Sequence, residues 1–187
     1  MFLCLLIICL GGSAVMGSVY LITYEPIAAA QAAKVNQAIA RVLPEFDNVP
    51  ALEAYQVLVD GRQVTVYPAQ KDGVFAGAAI EAVTTRGFGG PIKVMVGFRP
   101  DGTIHNTAVI SHTETPGLGD KMDPRKSDFS LQFQGKNPGT FRLAVKKDGG
   151  QVDAITAATI SSRAFCDVLD LAYRAFIQTD QKEGGKQ

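Results

Sequence analysis

The N-terminal segment of the chain is uniformly apolar. No charged side chain occurs from Phe2 to Tyr24, and the first charge is Glu25. At about 1.5 Å per residue, a helix over this segment would be roughly 35 Å long, which is enough to cross a bilayer core. We therefore predict a transmembrane anchor over residues 1–25. A cleaved signal peptide is the alternative, because small residues at 11–14 are of the kind that precede a cleavage site.

The pattern changes from helical spacing to alternation after this segment. Residues Ala28–Leu43 have apolar side chains at helical spacing and predict a helix that ends before Pro44. Alternating apolar and polar positions then predict strands, with a hairpin turn at Asp60-Gly61. The predicted strands lie around 57–59, 64–66, 77–85, 92–98 and 103–111, with two short candidates at 132–133 and 141–146.

The most regular helical pattern lies near the C-terminus. Apolar side chains from Ile160 to Phe176 recur with a period near 3.6, which predicts an amphipathic helix starting just after Thr159. Strands followed by a long helix indicate an α+β fold, a mostly antiparallel sheet packed with helices. We predict one domain over residues 26–180 and a flexible tail over residues 181–187.

Composition narrows the functional classes. Hydrophobic residues make up 47% and charged residues 19%, which is typical of a globular chain. Lysine plus arginine and aspartate plus glutamate each number 18, so we expect no nucleic-acid partner. The three cysteines form no CxxC pair, and the two histidines form no HExxH motif, so we predict no metal site.

Two segments have side chains suited to chemistry. His112–Lys121 contains two glycines around Leu118, and such a loop can bring its backbone close to a planar ligand, although an ordinary Pro-Gly turn also explains it. Asp153–Ser162 places hydroxyls where a helix begins, and a helix N-terminus is a natural phosphate site. From the residues alone, simple N-capping by Thr156 or Thr159 is the preferred explanation of this second segment, because capping threonines are common.

Taken together, these segments resemble a known family. Glu114-Thr115-Pro116-Gly117-Leu118-Gly119 matches an ETPGLG loop, and Asp153–Ser162 matches a D-x-x-[ST]-G-A-T-x-[ST]-S motif. Gly87–Ile92 is similar to an aromatic-Gly-Gly-Pro-Ile segment. Both motifs, their order and the N-terminal apolar segment resemble the FMN-binding domain family, whose members include the G subunit of the Rnf complex and the C subunit of the sodium-pumping NADH:quinone reductase.

The resemblance implies a covalent cofactor. A flavin transferase would attach FMN to Thr159 through a phosphodiester, and the loop residues Glu114, Thr115, Pro116, Gly117, Leu118 and Gly119 would line the flavin. Asp153, Thr156 and Ala158 would contact the phosphate or the transferase. Ala157 stands where the motif has glycine. Because alanine is also small, we expect modification to survive, although its Cβ would slow the transferase.

The resemblance also implies a setting for the protein. It suggests an electron-transfer subunit of an Rnf-type ion-translocating ferredoxin:NAD oxidoreductase, with the other subunits, the transferase and membrane lipid as partners. The domain would lie on the periplasmic or outer face of the inner membrane. Two alternatives remain open, a flavinylated membrane-anchored redox sensor and a cofactor-free anchored binding module.

Overall fold

The computed structural model describes residues 2–183, apart from the side chains at 4, 7, 8 and 180–183. Helix α1 spans Phe2–Val42 and helix α2 spans Thr159–Glu183. Five strands lie between them: β1 Tyr55–Val59, β2 Arg62–Lys71, β3 Val74–Thr84, β4 Ile92–Phe98 and β5 Ile104–His112. Three short 3-10 helices, Gly119–Met122, Asp128–Phe133 and Lys146–Asp148, connect β5 to α2. The α+β prediction is therefore confirmed.

The chain divides into two compact units within α1, between Asn36 and Gln37. Residues of α1 before this division include the predicted span, which contains Cys4, Ile7 and Ile8, whose side chains lie outside the described residues. Within the described part of the chain, no helix has both the length and the apolar character needed to cross a membrane.

The five strands form one antiparallel sheet in the order β1-β2-β3-β4-β5. Tight turns form the first two connections of this meander, because Asp60 and Gly61 both adopt positive φ, as do Asp72 and Gly73. Two consecutive residues with positive φ form the turn that matches the twist of a hairpin. The hairpin predicted at Asp60-Gly61 is confirmed, with Val59 paired to Arg62.

Helix α2 covers one face of the sheet. Alternate residues of β3 and β4, such as Ile80 and Val96, are fully buried together with the apolar side of α2. Phe165 of α2 packs against Phe129 and Phe133, with ring centroids 5.4 Å apart in each pair. A fully buried side chain of this size contributes roughly 1.5–3 kcal/mol, so this cluster fixes α2 and the 3-10 segment together.

The end of α1 belongs to the second unit. Ile39, Val42 and Leu43 are buried, and so is Met95 on the face of β4 that points away from α2. The Asn106 side chain of β5 donates a hydrogen bond to the carbonyl oxygen of Arg41 at 3.0 Å. Both faces of the sheet therefore contain buried apolar residues.

Two predicted short strands are wrong. Gln132 and Phe133 lie in a 3-10 helix, where the Gln132 side chain accepts from the backbone N–H of Asp153 at 2.8 Å. Residues 141–146 form a single bridge between Val145 and Val152 instead of a strand. In the predicted tail, α2 continues to Glu183, and residues 184–187 lie outside the described part.

Candidate functional site

The loop after β5 is held against the segment between β3 and β4. The Thr113 hydroxyl donates to the carbonyl oxygen of Gly89 at 2.8 Å, and the Gly89 N–H donates to Glu114 Oε1 at 3.2 Å. The backbone of Gly89 lies so close to Thr113 that a Cβ there would overlap its carbonyl oxygen. The glycines of the 87–90 segment thus allow a close backbone approach.

The loop then forms a Pro-Gly turn. Pro116 and Gly117 occupy its centre, and the N–H of Leu118 donates to the carbonyl oxygen of Thr115 at 3.2 Å. Gly117 has a φ of 77°, which suits glycine at the third position of such a turn. The ordinary turn considered from the sequence is present, and it leaves Leu118 40% exposed.

Glu114 is the buried centre of the loop. It is 5% exposed, and its second oxygen, Oε2, accepts a hydrogen bond from the Ser161 hydroxyl at 2.6 Å. Ser161 lies in the first turn of α2, so this bond joins two segments that are far apart in the sequence. Gly119 packs against both side chains, and a Cβ there would overlap Glu114 Oε2.

The start of α2 is shaped by Ser162. Its hydroxyl is fully buried, accepts from the N–H of Ile155 at 2.9 Å and donates to the carbonyl oxygen of Ala158 at 3.0 Å. Helix α2 begins at Thr159, so the capping position falls on Ala158, which has no side-chain oxygen. The N–H groups of the first helical turn have no partner within the helix, and they form a region of positive potential there.

The two candidate threonines are free of internal hydrogen bonds. Among the described residues, neither the Thr156 nor the Thr159 hydroxyl has a hydrogen-bond partner. Thr159 is partly buried and Thr156 is exposed. Neither threonine therefore caps α2 with its side chain.

An unusual backbone conformation occurs between the two threonines, at Ala157. Ala157 adopts a φ of 61°, in the left-handed region that L-residues other than glycine, asparagine and aspartate seldom occupy. The family motif has glycine at this position. The conformation gives a physical reason for that preference, because glycine adopts positive φ without a Cβ clash.

One cavity of about 340 Å³ brings the two motifs together. Of the predicted site residues, it is lined by Glu114, Thr115, Leu118, Gly119, Ala158 and Thr159. Four residues that the sequence prediction did not include also line it: Phe88, Ala157, Ile160 and Ser161. Pro116 and Gly117 do not line it. Phe88 lies in the aromatic-Gly-Gly-Pro-Ile segment, so the motif match was a signal that could have identified it.

Asp153 and Thr156 line a separate neighbouring cavity of about 360 Å³. The Asp153 carboxylate forms an ion pair with Lys146 at 2.6 Å, and its backbone is hydrogen-bonded to the Gln132 side chain. Lys121 and Ser127 also line this cavity. The structure thus divides eight of the predicted site residues between two adjacent cavities, and Pro116 and Gly117 line neither of them.

Ion pairs stabilise the segment that follows Gly119. The Lys126 ammonium donates to Asp120 Oδ2 at 2.6 Å and lowers the pKa of that carboxyl. Arg125 likewise lowers the pKa of Asp123, chiefly through its side-chain hydrogen bonds. Both carboxylates are largely inaccessible to solvent, so each has a cation within hydrogen-bond distance.

Comparison with known proteins identifies the class first. Residues 87–174 match the model of the FMN-binding domain, and this range includes both motifs and the cavity that they line.

Several curated relatives then identify the particular family. A protein of Aliivibrio fischeri, named as the G subunit of an ion-translocating oxidoreductase complex, is 35% identical over 97% of this chain and 90% of its own length. Its counterpart in Shewanella piezotolerans is 32% identical over 86% of this chain and 81% of its own length. The counterpart in Vibrio atlanticus is 46% identical over 62% of this chain and 56% of its own length. This chain belongs to the family of these G subunits.

The first cavity fits FMN. Its volume lies at the lower end of the roughly 300–1,000 Å³ typical of ligand sites. Phe88, Leu118 and Ile160 are 70%, 40% and 47% exposed and present apolar surface for a flat ring. The first turn of α2 presents N–H groups that have no partner within the helix for a phosphate, beside the Thr159 hydroxyl, which is unpaired among the described residues.

Proposed function

We propose that this protein is an electron-transfer subunit of a membrane-bound Rnf-type ion-translocating ferredoxin:NAD oxidoreductase complex and holds FMN covalently on Thr159. The main support is the position of Thr159. Its unpaired hydroxyl lies at the wall of the cavity lined by both motifs, at the positive end of a long helix. The names of the relatives support the assignment to such a complex.

The chain's own residues have distinct tasks in this proposal. The Thr159 oxygen accepts the FMN phosphoryl group from FAD on a flavin transferase. A bond forms between Oγ1 and phosphorus, the FAD pyrophosphate bond breaks, AMP leaves and the hydroxyl proton is released. The helix N-terminus offsets the charge of the resulting phosphodiester.

The remaining lining residues would position the ring. Phe88, Leu118 and Ile160 present their apolar side chains to it and exclude water, while Thr115, Gly119 and Ala158 complete the wall. FMN supplies the redox chemistry when it is bound, and the protein supplies position and electrostatics. Asp153 and Thr156 line the adjacent cavity, and we assign them to recognition by the transferase.

The proposal includes a location. The absence of charge from Phe2 to Tyr24 supports anchoring of the N-terminal segment in a membrane. From the resemblance to the G subunits, we infer that this membrane is the inner membrane and that the domain lies on its periplasmic or outer face. Other subunits of the complex and membrane lipid would be its partners. Retention in the membrane fraction after alkaline carbonate washing, and release by detergent, would test the anchoring.

Flavin attachment is tested by co-expression with a flavin transferase. The protein band on a denaturing gel should fluoresce, and its intact mass should increase by one FMN. Thr159→Ala should abolish both signals, whereas Thr159→Ser should retain them and Thr156→Ala should only weaken them. Unmodified wild-type protein in the presence of an active transferase would refute covalent attachment and favour a cofactor-free module.

A further inference from the structure

The carboxylate of Glu114 is buried and is held by neutral hydrogen-bond donors. It is 5% exposed, and its partners are the Gly89 N–H on Oε1 and the Ser161 hydroxyl on Oε2. Among the described residues, no lysine or arginine forms an ion pair with it. Asp120 and Asp123, two other buried carboxylates, each have a cation within hydrogen-bond distance.

The hydrogen-bond pattern around Glu114 is that of an ionised group. Both oxygens accept hydrogen bonds, and the Ser161 bond of 2.6 Å falls in the roughly 2.5–2.7 Å range of a hydroxyl bound to a carboxylate. His112 contacts the main chain of Glu114 and not its carboxylate, since its Nδ1 accepts the backbone N–H of Glu114 at 3.2 Å.

We propose that Glu114 sets the reduction potential of the flavin as a fixed negative charge in the cavity wall. This inference rests on the proposed function, because it concerns FMN in that cavity. Hydrogen bonds from two different segments hold the carboxylate in place, so it cannot turn away when electrons arrive. Adding an electron near an uncompensated negative charge is unfavourable, so Glu114 lowers the potential.

The Ser161 hydroxyl has the opposite effect. By donating to Oε2, it disperses part of the carboxylate charge. Ser161 is therefore a positioning residue that acts on the flavin through Glu114. We therefore expect substitutions of Glu114 and Ser161 to shift the reduction potential in opposite directions. If the two residues had only a structural role, both substitutions would loosen the same contact and shift the potential in the same direction.

Glu114→Gln is the primary test. Glutamine can accept from the Gly89 N–H and donate to the Ser161 oxygen, so the change removes the charge and keeps the shape. The reduction potential of the flavin in the full-length protein should become more positive. The equilibrium constant for adding the first electron should increase by roughly tenfold or more. Anaerobic titration with mediator dyes, followed by flavin absorbance, measures it.

A matched control is Glu45→Gln. Glu45 is exposed and contacts Lys71 at the β2–β3 turn, the end of β3 opposite to the Gly87–Gly90 segment. This substitution makes the same charge change away from the cavity, so the potential should stay at the wild-type value. An equal shift in both variants would overturn the inference, because it would show an effect of net charge alone.

Ser161→Ala keeps the test decisive if Glu114→Gln does not fold. It leaves the charge less dispersed and should shift the potential to more negative values. An unchanged or more positive potential in Ser161→Ala, or an unchanged potential in Glu114→Gln, overturns the inference. Failure of the proposed function would be recognised separately. Each titrated sample must show the mass of bound FMN, and if the proposed function were wrong, the wild-type protein would lack that mass.

Discussion

The left-handed conformation of Ala157 leads to a quantitative prediction. Ala157 has a φ of 61°, and its side chain is exposed, so the methyl group contributes little buried surface. A non-glycine residue in this region costs roughly 1–2 kcal/mol. Replacement by glycine removes that cost but adds about 0.5–1 kcal/mol of conformational entropy to the unfolded chain. Ala157→Gly should therefore stabilise the domain by up to about 1.5 kcal/mol.

Thermal unfolding of the full-length protein without flavin measures this change. A domain of this size shifts its Tm by roughly 2–4 °C per kcal/mol, so circular dichroism should show a rise of up to about 6 °C. Ala172→Gly is the control with the same chemical change. Ala172 is fully buried in the interior of α2, so this substitution should destabilise the domain by about 1 kcal/mol or more.

Ala157→Gly also tests how the side chain of Ala157 affects flavin attachment. Its methyl group lines the cavity beside Thr159, so Ala157→Gly should be flavinylated faster by a transferase than the wild type. The initial rate of in-gel fluorescence reports this. A lower Tm for Ala157→Gly than for the wild type would refute the strain argument, and slower modification would refute the steric one.

Three further predictions concern buried polar groups. Ser162→Ala should lower the free energy of unfolding by about 1–3 kcal/mol, because it leaves the buried N–H of Ile155 unpaired. Ser130→Ala is the control and should be nearly neutral, since the buried Ser130 hydroxyl has no partner among the described residues. Burial raises the pKa of Cys166 to about 12. In a variant whose two N-terminal cysteines are replaced by serine, Cys166 should therefore react with Ellman's reagent at pH 8 only after unfolding. Rapid labelling of the native protein would contradict this. Arg125 lowers the pKa of Asp123, so its stabilisation is present above the unfolded pKa of about 3.9 and lost as pH falls through the folded pKa. Melting curves between pH 7 and 3 should show a smaller loss in Asp123→Asn than in the wild type.

Sequence patterns were sufficient where the structure depends on local chemistry. The alternation over residues 92–98 corresponds to β4, and the period near 3.6 after Thr159 corresponds to α2. The Asp60-Gly61 turn also follows from backbone conformations that only a few residue types favour. In each case neighbouring residues determine the outcome, so the sequence contains the whole signal.

Non-local contacts explain what the sequence could not predict. Gln132 and Phe133 have the polar-apolar alternation of a strand but lie in a 3-10 helix. Phe133 packs on Phe165, and the Gln132 side chain accepts a hydrogen bond from the backbone N–H of Asp153. The Glu114–Ser161 hydrogen bond likewise joins two motifs that each had an ordinary local explanation. No periodicity encodes such a contact, so only the folded chain reveals that the motifs share a cavity.

The roles of the hydroxyls at the start of α2 can now be separated. Ser162 is fully committed to holding the 155–158 turn, and Ser161 is committed to Glu114. The helix begins at Thr159 itself, so N-capping by Thr159 is not its role, and its oxygen stays unpaired at the cavity wall. Thr156 is also unpaired but lines the other cavity. Because a nucleophilic oxygen must be both free and next to the site that the cofactor occupies, this division of roles favours Thr159 on physical grounds that are independent of the motif match.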